Sequence, residues 1–301
     1  MSEEEAPVFT PDAAIAAAAG KRNKPLAEAD RDRYIDLDAR YLVQMAHLTT
    51  PATRWSMVEK ACTKSAANLV MLDMEDSTPR GDDKALHQAR WNVIRAYKEL
   101  GDWGGKLKFF RPRGLQLDPE HTDIAVIVEQ AGAFIDGLIY PKTETAAEVR
   151  SIDETLTALE RKLGLPVGKI KFEVLIESVS AEEQVFEIAQ ASRRLVGLIF
   201  GAYDYWASLG MIGAEYRADH PMVLEARSRI QRAAASVGLP AIAEMTLNYP
   251  TKDKTPEQQK AALDECRRDA EIARDQGYAG KWTGIPAQVD IAKEVLTIPD
   301  A

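Results

Sequence analysis

The chain has 301 residues, 46% of them hydrophobic and 28% charged, which supports a large core and excludes a wholly disordered or collagen-like protein. Its 47 acidic and 38 basic residues leave a net charge of −9, a poor balance for wrapping nucleic acid or lying on an anionic membrane. No apolar run approaches the roughly 18–20 residues needed to span a bilayer, and Cys62 and Cys266 are too few for a disulfide framework, so both are expected as buried thiols.

Residues 1–37 read as an acidic, Ala-rich extension broken by Pro7, Pro11 and Pro25. They have neither the basic start of a signal peptide nor the Arg-rich character of a transit peptide, so the expected location is the cytoplasm. A single domain over 38–301 follows, with ordered structure starting near Arg40. Candidate strands run Leu42 to Ala46, Asn68 to Leu72, Leu107 to Arg111, Gly137 to Tyr140, Phe172 to Ile176, Leu195 to Phe200, Ala241 to Ala243 and Gly280 to Thr283.

Between the strands lie helical periodicities. Leu86, Ala89, Val93, Tyr97 and Leu100 step by three and four, as do Ala262, Cys266, Ala270 and Ala273. Thr255, Pro256 and Gln258 read as N-cap, first-turn proline and capping-box partner, and Ser180 with Glu183 as a second capping box. Eight strands alternating with helices imply parallel pairing, closed as a (β/α)₈ barrel or left open as a doubly wound sheet. The open dinucleotide-binding form wants Gly-x-Gly-x-x-Gly after its first strand; Ala46-His47-Leu48-Thr49-Thr50-Pro51 has no glycine, which favours the barrel.

Barrel enzymes work at the C-terminal ends of their strands, and five consecutive strand ends here are charged. They are Asp73-Met74-Glu75-Asp76, Arg111-Pro112-Arg113, Pro141-Lys142, Ile176-Glu177 and Gly201-Ala202-Tyr203-Asp204. Any one acid after a strand can be the N-cap of the next helix. Converging carboxylates instead suit Mg²⁺ or Mn²⁺, with Glu177 and Asp204, one β/α unit apart, as the ligand pair. Arg111 is expected to point into the barrel top, to neutralise a carboxylate or enolate or to pair with Glu75 or Asp76. Gly201 allows close backbone approach, with the amides around Ala202 as a carboxylate site or a simple turn. Lys142 is a substrate-binding candidate or a solvated surface residue. His47, His87, His121 and His220 fall in loops or helices without a partner and receive no role, and Trp282 reads as barrel packing.

Taken in order, Leu72-Asp73-Met74-Glu75-Asp76 with Lys84 and Arg90, Arg111, Pro141-Lys142, Ile176-Glu177, Gly201-Ala202-Tyr203-Asp204-Tyr205 and Gly277-Tyr278-Ala279-Gly280-Lys281 resemble the citrate lyase β-subunit and malyl-CoA lyase group of the HpcH/HpaI aldolase/citrate lyase superfamily. The resemblance covers roughly Arg40 to Leu296. It implies a Mg²⁺-dependent carbon–carbon lyase that cleaves a 3-hydroxyacyl-CoA of malyl-CoA or citramalyl-CoA type to an acyl-CoA and glyoxylate or pyruvate. Glu177 and Asp204 would hold the metal, Arg111 would stabilise the enolate, and Asp76 would order metal-bound water with Glu75 in support. A homotrimer or hexamer is also implied.

Three departures stand out. The family's late Ile-His-Pro-x-Gln block appears as Gly284-Ile285-Pro286-Ala287-Gln288, without the histidine. The Pro-Gly after the first strand is replaced by His47-Leu48-Thr49-Thr50-Pro51, which leaves the CoA grip open. The C-terminal lid by which malyl-CoA lyases supply an acid has no counterpart before Ala301, so the proton donor is open, Glu75 or water being candidates. A CoA-independent class II aldolase for 2-oxo acids and a non-catalytic barrel serving as subunit or binding module are the alternatives.

Overall fold

The computed structural model describes residues 38–211 and 213–297. The extension expected over 1–37 lies outside the described residues. Eight strands, β1 (Ala46–Pro51), β2 (Leu69–Asp73), β3 (Leu107–Arg111), β4 (Gly137–Tyr140), β5 (Lys171–Ile176), β6 (Leu195–Phe200), β7 (Ala241–Ala243) and β8 (Gly280–Thr283), pair in parallel with their neighbours in sequence. The barrel closes where β8 returns to β1, with His47 opposite Trp282 and Leu48 opposite Thr283. Helices α1 (Trp55–Lys64), α2 (Asp83–Glu99), α3 (Thr122–Ala131), α4 (Ala146–Leu163), α5 (Val179–Glu183), α6 (Val185–Gln190), α7 (Ala202–Ser208), α8 (Pro221–Val237), α9 (Pro256–Asp275) and α10 (Pro286–Leu296) connect the strands. No described helix is long and apolar enough to cross a membrane.

Strand alternation divides the core in two. Leu69, Met71, Leu107, Phe109, Ile139, Leu175, Ile199, Ile242 and Trp282 fill the barrel interior, while Val70, Leu72, Phe110, Val174 and Leu198 face the helices. Both faces are buried, so most strands read as unbroken apolar runs. Helix α2 buries Leu86, Ala89, Val93 and Tyr97, the predicted stripe, against that outer layer. The capping box of α9 forms as expected: Gln258 N donates to Thr255 Oγ1, and Thr255 N donates to Gln258 Oε1 at 2.9 Å.

Two expectations are corrected. Strand β1 begins at Ala46 and runs through the segment read as its following loop, while Ala39–Tyr41 forms a short 3₁₀ turn. Ala46 and Leu48 pack outward, while the inward positions are the polar His47 and Thr49, and that polarity disguises the strand; His47 therefore sits buried on a strand. The cap of α5 is Ser178, whose hydroxyl accepts from Ala181 N at 3.0 Å, so the Ser180–Glu183 box does not form. Cys62 and Cys266 are buried and free, as expected.

The lower interior is polar. Gln44, His47 and Glu173 are all buried, with His47 Nδ1 3.5 Å from Glu173 Oε2. Glu173 lies at a register shift between β5 and β6, opposite Gly197, where a Cβ would come within 2.7 Å of its Oε1. Burial pushes the Glu173 carboxyl up to about 8 and the His47 imidazole down to about 3.

Candidate active site

At the C-terminal rim the strand-end charges converge. Asp73, the last residue of β2, takes a hydrogen bond from Glu75 N at 3.0 Å and another from Ser77 N at 3.1 Å. The Ser77 hydroxyl donates to the Asp73 carbonyl at 2.7 Å, closing a turn that folds Glu75 back toward the barrel. Arg111, at the end of β3, is buried beside it. Its Nε donates to Asp73 Oδ1 at 2.7 Å, Nη1 lies 2.9 Å from Glu75 Oε2, and Nη2 lies 3.3 Å from Asp76 Oδ2. The guanidinium carbon is 5.2 Å from the centre of the Trp282 ring, whose Nε1 donates to Thr49 Oγ1 across the closing seam.

Across the mouth, Glu177 follows β5 and Asp204 lies in the first turn of α7. Lys142 stands between the two halves at φ 49°, a left-handed conformation rare for a lysine. Its Nζ is 2.9 Å from Glu75 Oε1, 2.8 Å from Asp204 Oδ2 and 3.4 Å from Glu177 Oε2. The surface reading of Lys142 is thus set aside: the ammonium is the central cation of an acidic cluster.

The electrostatics follow from burial and partners. Burial raises the Glu177 carboxyl well above the carboxylate range, and the neighbouring Asp204 adds to this against the pull of Lys142. Burial also works to raise Asp204, but the hydrogen bond shared with Glu177 and the Lys142 ammonium together hold it low. Glu75 is raised by burial despite Arg111 and Lys142. For Lys142 and Arg111 burial works the other way, yet their carboxylate neighbours hold both protonated.

The Glu177–Asp204 pair fits a small divalent cation. Glu177 Oε1 is buried with no N–H or O–H donor against it, and Asp204 is near enough for the two carboxyls to share a proton. The space they border draws the Lys142 ammonium, as expected of a site suited to positive charge. No cage of three or more His, Cys, Asp or Glu side chains exists among the described residues. Two carboxylates are what Mg²⁺ commonly takes, with water and substrate oxygens completing its octahedron.

Gly201 has a different task from the one expected. Its N–H donates to the Ile176 carbonyl at 2.9 Å and is not open to a substrate. A Cβ at this position would overlap the Glu177 side chain, so the glycine leaves room for a carboxylate of the chain itself. Ala202 is buried at the start of the seven-residue α7. Arg113 turns away to Asp123, 2.9 Å from Nε, and takes no part in the cluster. Asp73 is the principal residue given no role beforehand; its parity with Leu69 and Met71 on β2 marks it as inward-facing.

A family model described as HpcH/HpaI aldolase/citrate lyase matches residues 47–281. The chain is 36% identical over 265 residues to the L-malyl-CoA/beta-methylmalyl-CoA lyase of Cereibacter sphaeroides, with 83% of this chain and 78% of that protein covered. It is 27% identical over 229 residues to citrate lyase subunit beta of Leuconostoc mesenteroides subsp. cremoris, covering 76% of this chain and 69% of that protein. Among solved structures, the Haloferax volcanii malate synthase magnesium/glyoxylate complex is similar at a TM-score of 0.71 and 20% identity, over 86% of this chain and 76% of that one.

Proposed function

The chain belongs to the HpcH/HpaI aldolase/citrate lyase family and is a carbon–carbon lyase, and from this premise we propose that it cleaves a malyl-CoA or citramalyl-CoA type thioester with Mg²⁺. The products are an acyl-CoA and glyoxylate or pyruvate. The observation that carries this reading is the meeting of Glu177 and Asp204 around a cation position at the rim, facing the Arg111 guanidinium across Lys142.

Glu177 and Asp204 would hold the metal. When bound, the ion supplies Lewis-acid polarisation of the 2-oxo acid's oxygens and favours loss of the 3-hydroxyl proton. Arg111, fixed by Asp73, Glu75 and Asp76, presents positive charge to the thioester oxygen as enolate character develops. Lys142, whose ammonium stands at the mouth of the cluster, would offer its charge to the carboxylate of the 2-oxo acid. Asp76, with its side chain 57% exposed, orients water at the mouth, and Glu75 ties Arg111 to Lys142.

The test is a panel of malyl-, β-methylmalyl- and citramalyl-CoA, with Mg²⁺ or with chelator, trapping released 2-oxo acid chemically. Metal-dependent release by the parent and its loss in Glu177→Ala and Asp204→Ala are expected. Undiminished turnover in those variants would overturn the site. Silence with tight metal binding would point to a CoA-independent aldolase, and silence without it to a non-catalytic barrel.

A further inference from the structure

Cleavage of a 3-hydroxyacyl thioester leaves an enolate whose carbon must be protonated, and the charged cluster is poorly suited to this. Arg111 is tied to Asp73, Glu75 and Asp76, and Lys142 to Glu75, Glu177 and Asp204, so the cluster's polar groups are taken up with one another. A neutral hydroxyl stands elsewhere on the rim. On β8, Trp282 points into the barrel interior, and two residues on, beyond the strand end, is Gly284. A Cβ on Gly284 would lie 2.5 Å from Tyr249 Oη, 2.8 Å from Tyr249 Cε1 and 2.9 Å from Met245 Sδ. The missing side chain is the space the phenol occupies.

Tyr249 is fixed there by the segment after β7. Lys254 Nζ donates to the Tyr249 carbonyl at 2.6 Å, and Gln288 donates to the Thr246 carbonyl at 2.8 Å while accepting from Gly284 N at 2.9 Å. Leu247 N donates to Tyr203 Oη at 3.2 Å, and Tyr203 adjoins Asp204 on α7, so this segment is tied to the helix that carries a proposed metal ligand. Among the described residues the Tyr249 hydroxyl donates to the Met245 thioether sulfur, at 3.1 Å, a weak acceptor easily exchanged for a better one.

We propose that Tyr249 is the general acid of the lyase, protonating the acyl-CoA enolate from its phenolic oxygen. This rests on the thioester-lyase reading above. The 3-hydroxyl gives up its proton to water at the mouth, the C2–C3 electron pair passes to the thioester enolate as the 2-oxo acid carbonyl forms, and the enolate carbon takes the Tyr249 proton, so that the proton released to water balances the one the phenolate later regains. The phenolate then regains a proton from water. Partial burial raises the Tyr249 phenol, so it carries its proton at neutral pH.

The experiment compares parent, Tyr249→Phe and Gly284→Ala on the thioester the parent cleaves, and follows exchange of the product acyl-CoA α-hydrogens in D₂O. Tyr249→Phe is expected to lose about 10²–10⁴-fold in kcat with KM little changed, to lose exchange in parallel, and to keep the parent's Mg²⁺-dependent thermal shift. Gly284→Ala, which displaces the phenol but leaves it present, is expected to lose both as well. If the parent turns over and Tyr249→Phe matches it in kcat and exchange, the assignment is overturned and the lyase reading stands. If the parent cleaves no thioester, both fall together.

Discussion

Glu177 folds into the space that Gly201 leaves open: any Cβ on residue 201 would overlap its side chain. The glycine therefore acts on the site through the carboxylate beside it. Gly201→Ala is expected to swing Glu177 away from Asp204 and to weaken Mg²⁺ binding by about 10–100-fold, the usual effect of disturbing a group that orients a ligand. Titration calorimetry on folded variant checks this; parental affinity would show that Glu177 does not hold the metal in this pose.

Lys142 neutralises Glu75, Glu177 and Asp204 from one position. Lys142→Met removes that charge and leaves buried acids facing one another. In chelator the variant is expected to melt below the parent, and Mg²⁺ is expected to raise its melting temperature more than the parent's. At a metal concentration 100 times Kd, binding stabilises by about 2.7 kcal/mol. Equal melting in chelator together with equal Mg²⁺ shifts would remove Lys142 from the role of resident cation.

The Glu173–His47 pair sets a pH dependence unrelated to the rim. Glu173 titrates near 8 folded against about 4.3 unfolded, so between those values the folded state holds more protons and stability falls as pH rises. His47, depressed to about 3 from about 6.5, acts in the opposite sense, and stability falls as pH drops through that window. The two oppose each other between about 4.3 and 6.5, and of this pair only Glu173 contributes a decline above 6.5. Thermal melts across pH 4–9 should show a decline in the parent that is shallower in Glu173→Gln; a variant that keeps the same decline would mean Glu173 is ionised when folded.

Much of the barrel was legible because strands buried on both faces are plain apolar runs: β3, β4, β6, β7 and β8 begin and end where expected. Strand β1 was displaced because its inward residues, His47 and Thr49, are polar, and alternation against a polar interior looks like a loop. Five charged strand ends advertised a rim. What they could not convey was partnership, since Lys142 meets Asp204 across 62 positions in sequence and Arg111 meets Asp73 across 38. The importance of Gly201 lies less in its backbone freedom than in an atom it lacks. Tyr249 carried no sequence signal, because the gap it fills is opened by a glycine in another strand's loop.

The hydrogen bond between Trp282 and Thr49 joins residues 233 apart. On a ribosome β1 emerges early and waits for nearly the whole chain before β8 can cover its edge. Until then the first strand is an open template for pairing with another nascent chain. Contacts this distant in sequence cost the most loop entropy and form slowly. The Trp282 indole gains its Thr49 partner when the circle closes, which ties one of the chain's five tryptophans to the last step of its assembly.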